Sequence, residues 1–507
     1  MEENNKRIMK NTVYLYIRML VIMVLSFFTT RVVLQKLGAS DYGVINLVGG
    51  FVSAFTVLDS ILASGTRRFL AISLGKGNKD LIKRTFSTAF VIHLSISILV
   101  FIVLESVGIW FLNTKLNIEP DRMLAANWVF QFAVISTVLG VTQTPYMAAV
   151  TANEHFNMYA YMSIYDAITK LLILYLLVTI PGDKLIVYSA LKLAVGIISL
   201  IIYRIYCIRK FEECAWSLRV DKPLLREMLH FSGWTTLGHL TVVVNGQGTN
   251  ILFNLFFNTL MNAAEGLANT VSFTIGQFIG GFMQASNPQL VKYYGAGDMK
   301  RFDKLIFDMT QYTLFMVAII GVPVLLELDY VLVLWLGKVP AFTSAFVKIG
   351  VLISIVLYSN GMINGGIAAI GKVRDLNIYS IPLYLLTLPI VYIVLKLGGS
   401  PVYVYLLSNI PALLSFMVNL YILSKYTDFP GYKFFFNIFL KNTLLILLAC
   451  IIPYSVQCFM EPSLIRFLIV CSISVLCTIA IMYLFALNAE VKQMVTKKVF
   501  TILRIKK

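Results

Sequence analysis

Residues 66–85 read TRRFLAISLGKGNKDLIKRT, and residues 286–305 read SNPQLVKYYGAGDMKRFDKL. Aligned without a gap at an offset of 220, Gly75 falls on Gly295 and Gly77 on Gly297. Each stretch is a polar connection between long apolar runs, the second and third runs of its half of the chain. The same offset sets Asn11, at the start of the first run, on Phe231, at the start of the seventh. A later pair, MAAVTANEHFNMY and GGIAAIGKVRDLN, follows the fourth and tenth runs at a slightly smaller offset. Two matches in the same order predict a duplicated unit of six helices. Six is even, so both copies enter a bilayer in the same direction, as parallel repeats about an axis along the membrane normal.

Outward from these stretches the chain is mostly apolar. Of its 507 residues, 58% are hydrophobic and 13% charged, against about 25% charged in a soluble domain. A water-soluble globule must cover its outside with polar groups, and a bilayer removes that demand. Runs of about 20 apolar residues cross ~30 Å of hydrocarbon at 1.5 Å per residue. They fall near 12–34, 44–65, 86–111, 125–147, 158–179, 186–206, 232–257, 264–286, 306–334, 345–368, 378–396, 402–424, 436–458 and 464–487. The sequence therefore predicts an all-α integral membrane protein of about 14 transmembrane helices. Helices 1–6 form a first lobe over 1–230 and helices 7–12 a second over 231–427. Helices 13 and 14 and a basic tail occupy 428–507.

The net charge of +17 follows topology, which argues against a nucleic-acid partner. Thirty of the 42 Lys and Arg lie in segments on the N-terminal side of the membrane. The opposite side carries seven: Lys36, Lys115, Arg122, Lys184, Lys338, Lys396 and Arg466. By the positive-inside rule the N-terminus is expected in the cytoplasm, and an even helix count returns the tail there. The first apolar run is too long for a signal h-region and lacks a cleavage site, so it is expected to be retained. The six cysteines, 207, 214, 450, 458, 471 and 477, show no metal-ligand spacing and no disulfide framework. Without a Walker motif or a glycine-rich dinucleotide loop, the expected role is translocation, with no cofactor, metal or catalytic residue.

Several segments resemble a known family. They are LYIRML, SFFTTRVVLQKLGASDYGVINLVGG and PYMAAVTANEHF in the first half. The second half adds FSGW, NGQGTNILFNLFFN, MNAAEGLAN, FMQASNPQLVKYYGAGD and LWLGKVPAFTSAF. Spread in order over residues 10–424, they are similar to the polysaccharide flippases of the MATE-like multidrug/oligosaccharidyl-lipid/polysaccharide exporter superfamily. The resemblance implies two six-helix lobes, alternating access and a hydrophilic, usually cationic cavity, and the 220-residue repeat implies that helices 1, 2, 7 and 8 line the cleft. It also implies residence in the bacterial inner membrane and an undecaprenyl-diphosphate-linked oligosaccharide as cargo, such as an O-antigen, capsule or exopolysaccharide unit. Membrane lipids, a polysaccharide polymerase and glycosyltransferases are the implied partners. Asn258 replaces a common Gly and His155 a common Arg.

Polar groups at membrane depth are the candidate site, because a central charge costs about 2.5–3.5 kcal/mol on the insertion scale. Arg18 and Arg31 lie on helix 1, either as cavity cations facing a diphosphate or as snorkelling side chains. Asp166 and Lys170 are four apart on helix 5, in the order that favours an intrahelical pair. Lys192 shares a helix-6 stripe with Ser189, Gly196 and Ser199. On helix 7, His239, Gln247, Asn250 and Asn254 form one face, and Gly246 and Gly248 can weaken the helix between them. Lys170, Lys192, Gln247 and Asn250 join the two arginines as the expected substrate cavity. Asp59, Asp166, His239 and Glu265 are the candidates for proton or sodium coupling. The sign of the cavity separates two readings: Arg and Lys suit an anionic lipid-linked glycan, and unpaired carboxylates suit a cation-coupled drug or metabolite exporter. A polymerase or membrane glycosyltransferase needs a large outer loop, and the longest here, near 112–124, is too short.

Overall fold

The computed structural model describes the backbone of residues 2–153, 155, 157–214, 219–284, 286–487 and 492–493. Side chains are described for most of these; those of Arg18, Asp59 and His239 lie outside the described set. The fourteen apolar runs fall mainly in helix, the 44–65 run being split by a turn at 54–55, and no strand occurs among the described residues. In chain order the helices are α1 (Glu2–Ser53), α2 (Thr56–Gly75), α3 (Lys79–Val103), α4 (Ile109–Thr114), α5 (Met123–Ala152), α6 (Asn157–Thr179), α7 (Lys184–Lys210) and α8 (Lys222–Phe256). They continue as α9 (Thr259–Gln284), α10 (Asn287–Gly295), α11 (Met299–Leu336), α12 (Thr343–Ala369), α13 (Val373–Lys396), α14 (Pro401–Thr427), α15 (Gly431–Phe434), α16 (Lys441–Phe459) and α17 (Leu464–Phe485). Short π-helical segments, Leu104–Gly108 and Phe435–Leu440, join α3 to α4 and α15 to α16.

Among the described residues, nine of these stretches are long and apolar enough to cross a membrane: α3 to α4, α5, α7, α11 to α14, α15 to α16, and α17. The remaining runs lie on α1, α2, α6, α8 and α9. These helices carry Arg18, Arg31, Asp59, Asp166, Lys170, His239, Gln247, Asn250 and Glu265. Of the candidate site residues, only Lys192 sits on one of the nine.

The turn that repeats in sequence repeats in hydrogen bonds. Gly77 and Gly297 both take positive φ, 67° and 70°, where a Cβ crowds the backbone. Gly77 N donates to Leu74 O at 3.0 Å, as Gly297 N does to Tyr294 O. One residue on, Asn78 and Asp298 cap α3 and α11, accepting from Leu81 N and Arg301 N at 3.1 Å each. Each pair is 220 residues apart. The second match also repeats: His155 N donates to Val150 O at 3.0 Å and Lys372 N to Ile367 O at 3.1 Å. Gly38, at φ 83°, breaks α1 between the first and second runs. The break between α8 and α9 falls at the equivalent Asn258, which caps Leu260 N at 3.0 Å.

The chain packs as two compact units. The first comprises Met1–Gly266, Pro340–Phe342 and Ser380–Ser408. Its middle is α5, which packs on α1, α2, α3 and α7. Val44, Leu47 and Val48 of α1 meet Phe130 and Val134 of α5 there, with Val100 of α3. The second comprises Leu267–Val339, Thr343–Tyr379 and Asn409–Lys507. In it α11 packs on α12, α16 and α17. Polar anchors fasten the C-terminal helices to α11: Gln457 Nε2 donates to Leu326 O at 2.5 Å, and Arg466 bonds Glu327 at 2.9 Å.

Candidate functional site

The first unit presents two lysines on helix faces opposite exposed apolar stripes. On α6, Ile164, Ile168, Leu172 and Tyr175 form an exposed stripe, at 59%, 60%, 47% and 66%. At 100° per residue, Asp166 and Lys170 lie on the far side of that helix, in line with buried Ile173 and Leu177. On α7 the outward stripe is Ile198, Ile201, Ile205 and Ile208, and Lys192 is again opposite, in line with Ser199 and buried Tyr203. Tyr165 Oη donates to Val195 O at 2.8 Å and ties the two helices together.

The Lys192 side chain is exposed. Lys170 is half-buried. Cations at membrane depth are unfavourable unless an anion joins them. Asp166, one helical turn before Lys170, is exposed on the same face. Arg31 is exposed on α1.

The polar face of α8 makes a ladder of amides. Asn262 Nδ2 donates to Asn250 O at 2.7 Å and to Asn250 Oδ1 at 2.5 Å, while Asn250 Nδ2 donates to Asn46 O at 3.3 Å. Asn254 Nδ2 donates to Asn117 O at 3.0 Å and its Oδ1 accepts from Asn117 N at 2.7 Å. Asn250 is thus tied between α1 and α9, and Gln247 packs over Gly50, its Oε1 buried without a partner. The helix runs unbroken through Gly246 and Gly248. Leu388 of α13 packs where a Cβ on Gly248 would stand, so that glycine admits a neighbour. Glu265 is 6% exposed, with Oε2 buried and unpartnered.

An ion cluster that the sequence reading did not assemble lies opposite the basic side. Arg122 grips Asp41 at 2.5 and 2.7 Å and Asp183 at 2.6 and 3.1 Å. Burial pushes the Asp41 carboxyl above the usual range, because it outweighs the Arg122 bond. Burial pushes Asp183 the same way, but the Arg122 bond and the Ile186 and Leu185 N–H groups outweigh it and hold Asp183 below. Also missed were Arg204, which bonds Thr142 Oγ1 at 2.7 Å and covers the Tyr146 ring, and Glu105, which accepts from Gln131 at 3.2 Å on the first π segment.

By sequence, no family model and no curated protein matches the chain. By structure, it is similar to the lipid II flippase MurJ in an inward closed conformation. That match covers 93% of this chain and 98% of the other at 15% identity, with a TM-score of 0.64. The chain has the fold of the MOP-superfamily transporters. It is likewise similar to an inward-facing multidrug resistance MATE transporter of that superfamily: 80% of this chain, 96% of that one, 11% identity, TM-score 0.67. A MOP-superfamily transporter from Pyrococcus furiosus covers 81% of this chain, with 95% of its own length matched, at 11% identity and TM-score 0.56. With nine helices long and apolar enough to cross a membrane among the described residues, the chain is a multi-pass membrane protein.

Proposed function

We propose that the chain flips a polyprenyl-diphosphate-linked oligosaccharide across the bacterial inner membrane by alternating access, with both termini in the cytoplasm. The observation that carries the proposal is the placement of Lys170 and Lys192 on the faces of α6 and α7 opposite their exposed apolar stripes. A diphosphate crossing ~30 Å of hydrocarbon needs counter-charge inside the protein, and two ammonium groups on these faces meet that need. The lipid II flippase among its structural neighbours acts on cargo of the same chemical class. Residues 1–230 and 231–427 serve as the two moving lobes. Arg18 adds a third cation to the pathway, and a polymerase and glycosyltransferases supply and consume the cargo.

A second reading, a cation-coupled exporter of drugs or metabolites, is favoured by exposed Asp166 and buried Glu265. Asp166 lies one turn from Lys170, so its charge is locally offset, and the flippase reading stands first. The test is glycan display in a strain lacking its own flippase, with membrane abundance measured alongside. Wild-type protein should restore display, and Lys170→Gln with Lys192→Gln should abolish it at normal abundance. Full display by the double variant, or no display by the wild type, would refute the proposal.

A further inference from the structure

A cluster of three amides lies in the second unit, where α12 meets α14. Asn360 and Asn364 stand one turn apart on α12 and project to the same side. Asn419 of α14 reaches across to both. Its Nδ2 donates to Asn364 Oδ1 at 2.8 Å and to Asn360 Oδ1 at 3.1 Å, with Ser415 Oγ at 3.3 Å. Asn419 is 1% exposed, and its Oδ1 is buried without a partner. The Nδ2 groups of Asn360 and Asn364 donate to no protein atom among the described residues. Each amide carries two N–H donors and one accepting oxygen. The cluster therefore lacks a donor for Asn419 and acceptors for Asn360 and Asn364. Turning all three amides over exchanges donor for acceptor and leaves the same three positions unmet.

Two features select the ligand. The first is the lack of charge: residues 349–371, 401–424 of α14, and 267–284 of α9, whose Met283 packs over Gly361, contain no Lys, Arg, Asp or Glu. A phosphate would find no cation on these segments, and a metal ion no carboxylate. The second is access. Asn364 is half-buried, in line with exposed Leu357 and Ala368. It stands near the end of α12 that leads into Lys372 and Arg374, about 8 Å from the last turn's end at 1.5 Å per residue. A neutral group that both donates and accepts fits such a place, and a sugar hydroxyl does both.

We propose that Asn360, Asn364 and Asn419 form a binding site for a neutral sugar, whose ring hydroxyls meet the three unmatched amide groups. That this sugar belongs to a lipid-linked cargo rests on the flippase reading above; the binding itself does not. The test is saturation-transfer difference NMR with free lactose as the probe. It uses the full-length protein in phosphatidylcholine nanodiscs, whose headgroups carry no hydroxyl. Saturation should reach the lactose ring protons, and neither inorganic pyrophosphate nor sodium chloride should displace the sugar. Asn364→Leu removes the accessible amide at similar volume and should weaken binding about fivefold, the worth of one net hydrogen bond. Asn364→Gln should retain more of the affinity. Asn419→Leu should weaken binding at least as much as Asn364→Leu; if it does not fold, Asn364→Leu decides alone. No transfer to lactose in the wild type would overturn the proposal, as would wild-type binding by a folded Asn364→Leu. Displacement by sodium but not choline would make the occupant a cation, and displacement by pyrophosphate an anion; either result sinks the sugar site. If the wild type binds lactose yet displays no glycan in the flippase-deficient strain, the cargo assignment fails and the sugar site stands.

Discussion

Removing Arg466 should detach the C-terminal helices from α11. The guanidinium, 10% exposed, is bonded at 2.9 Å to Glu327, whose side chain is wholly buried. Glu327 Oε1 already lacks a partner, so Arg466→Met strands both carboxylate oxygens inside the second unit. Breaking one side of a buried pair costs about 3–5 kcal/mol. Interhelical bonds in membranes average nearer 0.6 kcal/mol, because the unfolded helices also find partners. Here both groups are charged and shielded from lipid by protein, so the lower end of the first range, about 3 kcal/mol, applies. Glu327→Leu should cost less, since Arg466 keeps the Met460 carbonyl at 3.3 Å and a long stem to reach the surface. The double variant should return to within about 1 kcal/mol of wild type, because replacing both charges with apolar groups is close to neutral. Stability is read by denaturant unfolding in micelles. Detachment is read by thiol labelling of Cys471 and Cys477, both half-buried on α17. Additive losses in the double variant, or Arg466→Met with unchanged thiol labelling, would show that this pair does not hold the helices.

Lys170→Ala should reduce glycan display more than Lys170→Ala combined with Asp166→Ala, because the single change leaves the Asp166 carboxylate to repel an anionic cargo. Display per unit of membrane protein checks the order. Gly43→Ala should destabilise by about 1–3 kcal/mol, since its Cβ would stand 1.9 Å from the Thr259 carbonyl oxygen. Gly49→Ala, with nothing within 4 Å, should gain about 0.5–1 kcal/mol, and unfolding curves separate the two signs. Asp183→Asn keeps the cap, since an amide oxygen still accepts from Leu185 and Ile186 N–H, but should cost about 1–2 kcal/mol by weakening the charge-assisted bond to Arg122, more than Asp41→Asn does. Asp183 is held below its ordinary 3.8, so its contribution is complete above that value and fades as pH falls through the folded one. Asp41 is shifted up and adds no such loss, so Asp183→Asn alone should flatten the acid limb of the stability curve.

The repeat was legible because its turn is set by chemistry that only a few residues supply. Gly77 and Gly297 tolerate positive φ and Asn78 and Asp298 cap, so a composition match reports a shared conformation. Helix ends were less legible. The 44–65 run hides a break after Ser53, because hydropathy does not register a turn inside an apolar stretch. The faces of Lys170 and Lys192 could be read from periodicity, but the bond from Tyr165 to Val195 depends on how α6 meets α7. Asn250 and Asn254 show the opposite limit. A water-lined stripe and a ladder of amides bonded to one another both place polar groups every three or four residues. The Asp41–Arg122–Asp183 cluster joins residues from three separate connections, and in sequence each counts only as a loop charge. Glu327 and Arg466 are 139 residues apart, and no local pattern pairs them.

The central claim is that two cations on the first unit carry an anionic lipid. The most direct measurement uses purified protein in vesicles that hold a fluorescent polyprenyl-diphosphate sugar, followed by a quencher that reaches only the outer leaflet. Wild type should equilibrate the lipid between leaflets. Lys170→Gln with Lys192→Gln should not, and the paired Arg variants should recover part of the rate by restoring charge. Transfer by the double Gln variant at the wild-type rate, or wild-type protein that leaves the lipid in place and exports an organic cation instead, would contradict the claim.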